Sequence, residues 1–234
     1  MLALPYLGED STIVLSGKVE SKPYITLTER VLEKFGIMVT EEDNAFSVSG
    51  KYHSPSRIKV EGDWSNAAFL IALSRLAGTI SVSGLNENSV QGDRFSSVAF
   101  DALDGENAEI DLKDCPDLAP ILFAYAAYKN GGKFINTRRL RVKEGDRANV
   151  MAEELKKFGA NVKVYENSVE IEKTQLKPPI VPLCGHNDHR IVMALSVLAA
   201  VFGAEIDGAE AVNKSYPDFF RVIKKAGVNV YEIR

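Results

Sequence analysis

Two kinds of apolar segment alternate along this chain. Segments of the first kind are apolar on nearly every side, which is typical of helices that are buried all round. They are residues 67–77, 118–128 and 191–202. In segments of the second kind, apolar residues recur every three or four positions, which predicts helices with one buried face. They run from Tyr24 to Phe35, from Met151 to Phe158 and from Phe219 to Ala226.

Short β-branched runs and glycines separate these helices. The runs that predict strands are residues 79–82, 133–136, 161–165 and 169–172, with a hairpin turn at Glu166-Asn167 between the last two. Two series of glycines keep a nearly constant spacing, which indicates an internal repeat. The series are Gly8, Gly78, Gly132 and Gly203, and then Gly36, Gly105, Gly159 and Gly227. The sequence therefore predicts an α/β (α+β) fold of repeated β-α-β-α-β-β units, with helices packed against sheets.

The repeat begins part-way through a unit. An aspartate precedes each of the three later buried helices, at Asp63, Asp117 and Asp188, whereas residues 1–6 match only the tail of such a helix. We therefore expect residues 1–61 to be the remnant of an incomplete unit and residues 62–234 to form a globule of three units. A missing N-terminal partner explains this phase most simply, and a degenerate capping repeat is the alternative.

Composition narrows the range of functions. The net charge is −4 at pH 7, which argues against bulk binding of nucleic acid. Two cysteines, Cys115 and Cys184, cannot make a disulfide framework, so we expect a cytoplasmic protein. The longest apolar run, residues 191–202, is shorter than the ~20 residues of a membrane span. We therefore expect no export, no membrane partner and no disorder.

Charged residues gather at the predicted helix starts. The aspartates among them are ordinary N-cap residues, namely Asp63, Asp93, Asp146 and Asp188. The cations Arg147, Arg190 and Lys214 are less expected, because the N-terminal end of the helix dipole disfavours positive charge. Three such cations in matching places of a repeat indicate a shared anion, such as a phosphate or a carboxylate. The alternative is that each cation pairs with a neighbouring aspartate at the surface.

The charged clusters also contain a pair of cations at helical spacing and a set of possible metal ligands. Lys143 and Arg147 are four residues apart, which predicts that they share one helical face. Cys184, His186, Asp188 and His189 offer metal-ligand types in a short span, but their spacing matches no common zinc pattern. We therefore expect no metal.

Seven motifs along the chain resemble, in order, those of the 5-enolpyruvylshikimate-3-phosphate (EPSP) synthase family. They are Ser21-Lys22-Pro23-Tyr24, Glu61-Gly62-Asp63-Trp64-Ser65, Ser89-Val90-Gln91-Gly92-Asp93, Pro116-Asp117, Lys143-Glu144-Gly145-Asp146-Arg147, Asn187-Asp188-His189-Arg190 and Lys214-Ser215-Tyr216-Pro217. The resemblance covers essentially the whole chain and corresponds to the C-terminal part of such an enzyme. It implies two globules of three β-α-β-α-β-β units each, with helix N-termini aimed at the cleft between them.

The resemblance also implies a reaction. It is transfer of the enolpyruvyl group of phosphoenolpyruvate to the 5-hydroxyl of shikimate 3-phosphate with release of phosphate, a step of the shikimate pathway towards chorismate and the aromatic amino acids. No metal, organic cofactor or nucleic acid takes part, and the intact enzyme is expected to be a monomer.

The resemblance assigns roles residue by residue. Phosphoenolpyruvate is expected at Arg147, Arg190 and Lys214, and shikimate 3-phosphate at Ser21, Tyr24, Asp117 and Lys143. Asp117 is expected to act as the base, Glu144 to exchange a proton with the methylene carbon, and His189 to lie close by.

Two positions depart from the family pattern. Gly145 stands where the family usually has Ser or Thr, and Arg139 where some members have Asn.

The chain lacks three motifs of the family, namely Pro-Gly-Ser-Lys-Ser, Gly-Asn-Ala-Gly-Thr and Ser-Ser-Gln. We therefore expect half of an enzyme, with little or no turnover alone. The alternatives are a UDP-N-acetylglucosamine 1-carboxyvinyltransferase-like enzyme and a non-catalytic repeat scaffold.

Overall fold

The computed structural model describes residues 1–78 and 80–233. The chain divides into two compact units. The first contains Met1–Gly62 together with Asn86–Gly92, and the second contains Asp63–Leu85 together with Asp93–Arg234. The carboxylate of Glu61 explains why the segment Asn86–Gly92 belongs to the first unit, since it accepts hydrogen bonds from the side chains of Ser89 and Gln91.

The first unit packs one helix against three strands. A short 3₁₀ helix, Leu4–Leu7, precedes β1 (Ser11–Val14), α1 (Lys22–Lys34), β2 (Ile37–Glu42) and β3 (Ala45–Gly50). β3 is the central strand and pairs antiparallel with both neighbours.

The apolar core of the first unit is small. It centres on Leu32, Ile37 and Val48. The predicted helix is confirmed, but its apolar stripe is not the buried face, since Tyr24 is 42% exposed and Val31 is 38% exposed. The three-and-four spacing identifies a helix with one apolar side, whereas the tertiary contacts decide how much of that side is covered.

The second unit contains the remaining helices and strands. They are α2 (Trp64–Ala77), α3 (Ser96–Asp104), β4 (Glu109–Asp111), α4 (Ala119–Tyr128), β5 (Gly132–Ile135), α5 (Arg147–Lys157), β6 (Asn161–Val164), β7 (Ser168–Glu172), β8 (Leu183–Cys184), α6 (His189–Phe202), β9 (Ile206–Asp207) and α7 (Phe219–Lys225). Four strands form a mixed sheet in the order β4-β5-β7-β6, and β8 pairs parallel with β9.

The three helices predicted to be buried on every side are α2, α4 and α6. They pack against one another at the centre of the second unit, and every residue from Ala119 to Ala127 is buried. The predicted strands at 133–136 and 161–165 and the hairpin to 169–172 are confirmed by β5, β6 and β7. The predicted α/β fold is therefore correct.

Among the described residues, one repeat has all of its predicted elements. The segment from β4 to β7 has the full order β-α-β-α-β-β, whereas the segment with β8 and β9 has two short strands. The strand predicted at residues 79–82 is wrong where it can be checked, because residues 80–82 are not in a strand, and Thr79 lies outside the described residues. So short a run becomes a strand only when a neighbouring strand pairs with it.

Three of the four predicted caps are confirmed. The carboxylates of Asp63, Asp146 and Asp188 accept hydrogen bonds from backbone N–H groups in the first turns of α2, α5 and α6. Asp93 instead lies inside a short 3₁₀ helix, Gly92–Phe95, and is buried. Within the described parts of the chain, no helix is long and apolar enough to cross a lipid bilayer.

Candidate active site

The starts of three helices meet in the second unit. Arg147 opens α5 and Arg190 lies in the first turn of α6. Arg190 donates a hydrogen bond to the hydroxyl of Ser65, in the first turn of α2, and Arg147 bonds to Asp188, the cap of α6. Helix N-termini carry partial positive charge, so this arrangement concentrates positive potential in one place.

Arg147 is the centre of a buried ionic cluster. Its side chain is only 1% exposed. Its Nε donates to Asp188 at 2.7 Å, and its two terminal nitrogens donate to Asp117 at 2.9 Å and to Glu144 at 2.5 Å. Burial opposes the charge of Arg147, but the hydrogen bond and the charge of Asp188, with those of Asp117 and Glu144, raise its pKa above its ordinary value. The guanidinium therefore stays charged, although a buried charge is stable only when it has charged or hydrogen-bonding partners.

Asp117 lies among three cations. Its Oδ1 is 3.1 Å from the Lys143 ammonium and 2.9 Å from Arg147, and its Oδ2 is 3.2 Å from Arg190. Burial alone would raise the pKa of Asp117, but the charges of Arg190, Lys143 and Arg147 outweigh it and hold that pKa well below its usual range. Asp117 is thus ionised at neutral pH.

Lys214 joins the cluster through the backbone. It lies at the end of a 3₁₀ helix, Ala209–Lys214, and its ammonium donates to the carbonyl oxygen of Asn187 at 2.5 Å. The next residue, Ser215, accepts a hydrogen bond from the side chain of Asn66 in the first turn of α2. The end of this 3₁₀ helix is therefore hydrogen-bonded to the segment that leads into α6 and to the first turn of α2.

His189 is buried beside these charges. Its side chain is 10% exposed, and Nδ1 has no hydrogen-bond partner. Burial first, and then the charge of Arg190, lower the pKa of His189 below its ordinary value. The imidazole is therefore neutral at neutral pH.

Glu144 differs from the other carboxylates of the cluster in exposure. Its side chain is 36% exposed, against 16% for Asp117 and 2% for Asp188. Of these three carboxylates, Glu144 therefore has the most contact with solvent.

Seven of the residues predicted for the site lie together in the second unit. They are Asp117, Lys143, Glu144, Arg147, His189, Arg190 and Lys214. The other two, Ser21 and Tyr24, belong to the first unit, where Ser21 is buried just before α1 and Tyr24 lies in the first turn of that helix.

The helical relationship predicted between Lys143 and Arg147 is wrong. Lys143 follows a short 3₁₀ helix, Arg138–Val142, and α5 begins only at Arg147. Asp146 caps α5, so the chain before it is not helical. The two cations nevertheless meet, because both contact the same oxygen of Asp117.

The sequence did not identify two members of the cluster. The sequence predicts Asp188 as a helix cap and offers it among the metal-ligand types, yet its carboxylate binds both the backbone N–H of Arg190 and the guanidinium of Arg147. Ser65 stands two residues after the Asp63 cap. Its place in the motif Glu61–Ser65 is the sequence feature that could have indicated its role in the site.

The candidate metal ligands have other partners. The backbone N–H of His186 donates to the sulfur of Cys184, and the ring of His186 contacts Glu154. Within residues 1–78 and 80–233, no group of three or more His, Cys, Asp and Glu side chains is arranged to hold a metal ion.

The fold is similar to that of EPSP synthases of known structure. Structures similar to this one include an EPSP synthase from Acinetobacter baumannii, with a TM-score of 0.75 and 24% identity over 94% of this chain and 57% of that chain. The enolpyruvyl transferase NikO from Streptomyces tendae has a TM-score of 0.60 and 14% identity over 94% of this chain and 56% of its own. At these identities the likeness establishes the fold.

The sequence comparisons establish the family. Residues 1–223 match the family model described as EPSP synthase (3-phosphoshikimate 1-carboxyvinyltransferase), and the chain belongs to this family. A 3-phosphoshikimate 1-carboxyvinyltransferase of Clostridium acetobutylicum is 38% identical over 99% of this chain and 58% of its own length. One from Methanocaldococcus jannaschii is 35% identical over 98% and 58% respectively. The chain therefore spans a little under three fifths of the length of these relatives.

Proposed function

We propose that the chain is the C-terminal part of an enzyme that transfers the enolpyruvyl group of phosphoenolpyruvate to the 5-hydroxyl of shikimate 3-phosphate. The observation that carries this proposal is the convergence of Arg147, Arg190 and Lys214 on the starts of α2, α5 and α6. Phosphoenolpyruvate has a carboxylate and a phosphate, which are the groups that helix N-termini and arginine side chains bind well.

Binding of phosphoenolpyruvate requires an exchange of partners at Arg147. Its guanidinium already donates to three carboxylates. Glu144 is the most exposed of the three. Its displacement by a substrate oxygen therefore costs the least free energy. We propose that Glu144, once displaced, takes up a proton from solvent and gives it to the methylene carbon of phosphoenolpyruvate while the 5-hydroxyl attacks C2. It later removes a proton from the resulting methyl group as the C–O bond to phosphate breaks and phosphate leaves.

Asp117 is the proposed base towards the 5-hydroxyl. Its ionised state suits this role, but the cations around it make it a weak base in the free protein. Bound phosphate and carboxylate offset the charges of Arg190 and Arg147, and the basicity of Asp117 rises. We propose that the substrate thereby prepares its own base, with Lys143 holding the carboxylate in place and neutral His189 beside the reacting carbon.

The remaining proposed contacts lie in the first unit. We propose that Ser21 and Tyr24 bind shikimate 3-phosphate, as the matching motif of the family suggests.

We also propose that the first unit packs against the N-terminal half of the same enzyme. Its surface has a cavity of about 380 Å³ lined mainly by apolar residues, among them Leu2, Tyr6 and Val31. Tyr6 is 81% exposed and Leu2 is 57% exposed, and large exposed apolar patches mark interaction sites. The intact enzyme would then be a monomer. We also propose a cytoplasmic location, since both cysteines of this chain, Cys115 and Cys184, are free.

A complementation assay tests the function. The chain is mixed with the part of the Clostridium acetobutylicum relative that it does not match, and phosphate release from phosphoenolpyruvate is measured. We expect release only with both polypeptides and with shikimate 3-phosphate, and much less with Glu144→Gln. Release that requires UDP-N-acetylglucosamine would support the alternative enzyme. Turnover by this chain alone would contradict the proposal that it is half of an enzyme.

A further inference from the structure

Glu154 is a buried carboxylate that lies outside the anion site. Its side chain is 2% exposed, although it belongs to the amphipathic helix α5. Its oxygens accept hydrogen bonds from the backbone N–H of Cys184 at 2.9 Å and from the ammonium of Lys157 at 2.9 Å, and they lie 3.2 Å from the ring Nε2 of His186. The chemistry proposed above does not use any of these groups.

Two of these partners belong to the segment that leads into α6. We call residues 184–188 the strap. His186 has a φ of 48° and Asn187 a φ of 53°. Asparagine and histidine adopt this left-handed region more often than most residues, but it still costs them free energy relative to glycine. Such a conformation persists only where surrounding contacts impose it.

The strained pair determines where two site groups lie. The carbonyl oxygen of Asn187 accepts a hydrogen bond from the ammonium of Lys214, and the next residue, Asp188, caps α6 and binds Arg147. A relaxed strap would move both groups away from the cations that they hold.

Helix α5 holds the strap at both ends. Arg147 binds Asp188 at one end, and Glu154 binds Cys184 and His186 at the other. Seven residues separate Arg147 from Glu154, which is about two helical turns and places both on one side of α5. A single rigid helix thus spans the strap.

We propose that Glu154 and His186 are positioning residues that hold the strap in its strained conformation and thereby fix the Asn187 carbonyl and the Asp188 carboxylate for the anion site. The inference rests on the proposed function as far as the anion is phosphoenolpyruvate. The geometry of the strap is independent of that identity.

Three variants of the 234-residue chain test the inference. Glu154→Gln removes the charge that the strap contacts. His186→Gly removes the ring but tolerates the positive φ, so this variant is expected to fold at least as stably as the wild type. Glu153→Gln is the matched control, because Glu153 is the exposed neighbour of Glu154 on the same helix.

The first readout is amide hydrogen exchange, which needs no ligand. We expect faster exchange in residues 184–190 for Glu154→Gln and His186→Gly, with unchanged exchange in the buried helix α4 and no change for Glu153→Gln. Unchanged exchange in the strap would overturn the inference. Faster exchange throughout the protein would also overturn it, since that indicates only a general loss of stability.

The second readout is the affinity for phosphoenolpyruvate, measured by calorimetry. We expect about tenfold weaker binding for His186→Gly, with an unchanged or higher melting temperature. Wild-type affinity in this variant would overturn the inference. A wild-type chain that does not bind phosphoenolpyruvate would count against the proposed function instead, and the exchange data would still decide whether Glu154 and His186 hold the strap.

Discussion

Arg147 and Asp188 form a buried ion pair that joins the start of α5 to the start of α6 across 41 residues of sequence. The Nε of Arg147 is 2.7 Å from one carboxylate oxygen, and a terminal nitrogen is 3.4 Å from the other. Because both side chains are almost fully buried, each depends on the other to offset its loss of hydration. This pair lies at the centre of the site and also stabilises the fold.

Removal of Arg147 is therefore expected to destabilise the protein. Arg147→Met leaves the buried carboxylate of Asp188 without its guanidinium partner and removes one of the three cations beside Asp117, so we expect a loss of about 3–5 kcal/mol in the free energy of unfolding. The double variant Arg147→Met with Asp188→Asn should recover part of that loss, since asparagine can still cap α6. Urea unfolding provides the measurement.

Arg138→Met is the control for this prediction. Its side chain is 74% exposed and pairs with Glu166 at the surface, so we expect a change of at most about 1 kcal/mol. An Arg147→Met variant as stable as this control would mean that the cluster is not buried as described.

The contribution of Asp117 to the free energy of unfolding should decrease as the pH falls. The pKa of Asp117 in the folded protein lies below its ordinary value of 3.8, so its ionised form favours folding above about pH 4, and this contribution disappears as the pH falls further. Asp117→Asn should thus cost most at neutral pH, and the difference from wild type should shrink towards about pH 3. Unfolding free energies at both pH values decide this. A difference that grows in acid would contradict the sign.

His189 should titrate below its ordinary pKa of 6.5, mainly because of burial and next because of Arg190. Nuclear magnetic resonance of the imidazole gives this pKa directly. Arg190→Gln should raise it without restoring the ordinary value, since burial remains. If Arg190→Gln lowers the pKa or leaves it unchanged, the charge of Arg190 does not act on this ring.

The exposed apolar residues of the first unit should matter for association rather than for folding. Val31→Asp in α1 is expected to leave the melting temperature of the chain nearly unchanged, because Val31 is 38% exposed. It should weaken binding to the complementary N-terminal half by about tenfold or more. Sedimentation or calorimetry of the mixture measures this.

Val98→Asp in α3 is the matched control, since Val98 is also an exposed helical valine, at 59%. Equal loss of association in the two variants would show that the α1 surface has no special role.

The helices and their caps were predictable because they depend on local sequence. The all-apolar segments gave α2, α4 and α6, and aspartates marked three helix starts at Asp63, Asp146 and Asp188. The strand predicted at residues 79–82 was not found in residues 80–82, because pairing with distant residues decides such short elements.

The sequence indicates which residues belong to the site better than it indicates which of them contact one another. The cations could be selected because positive charge is unusual at helix starts, and the motifs of the family supported that choice. The dual role of Asp188, the hydrogen bond from Arg190 to Ser65 and the burial of Glu154 come from contacts between residues far apart in sequence. Neither spacing nor composition could have indicated them.

In the proposed enzyme, cations from separate helix starts bind one small dianionic substrate. Calorimetric titration of phosphoenolpyruvate into the 234-residue chain tests this claim most directly, with Arg190→Ala as the site variant and Arg221→Ala, an exposed arginine of α7, as the control. We predict one molecule bound per chain, at least about tenfold weaker binding for Arg190→Ala and unchanged binding for Arg221→Ala. Equal affinity in the two variants, or no binding by the wild-type chain, would contradict the claim.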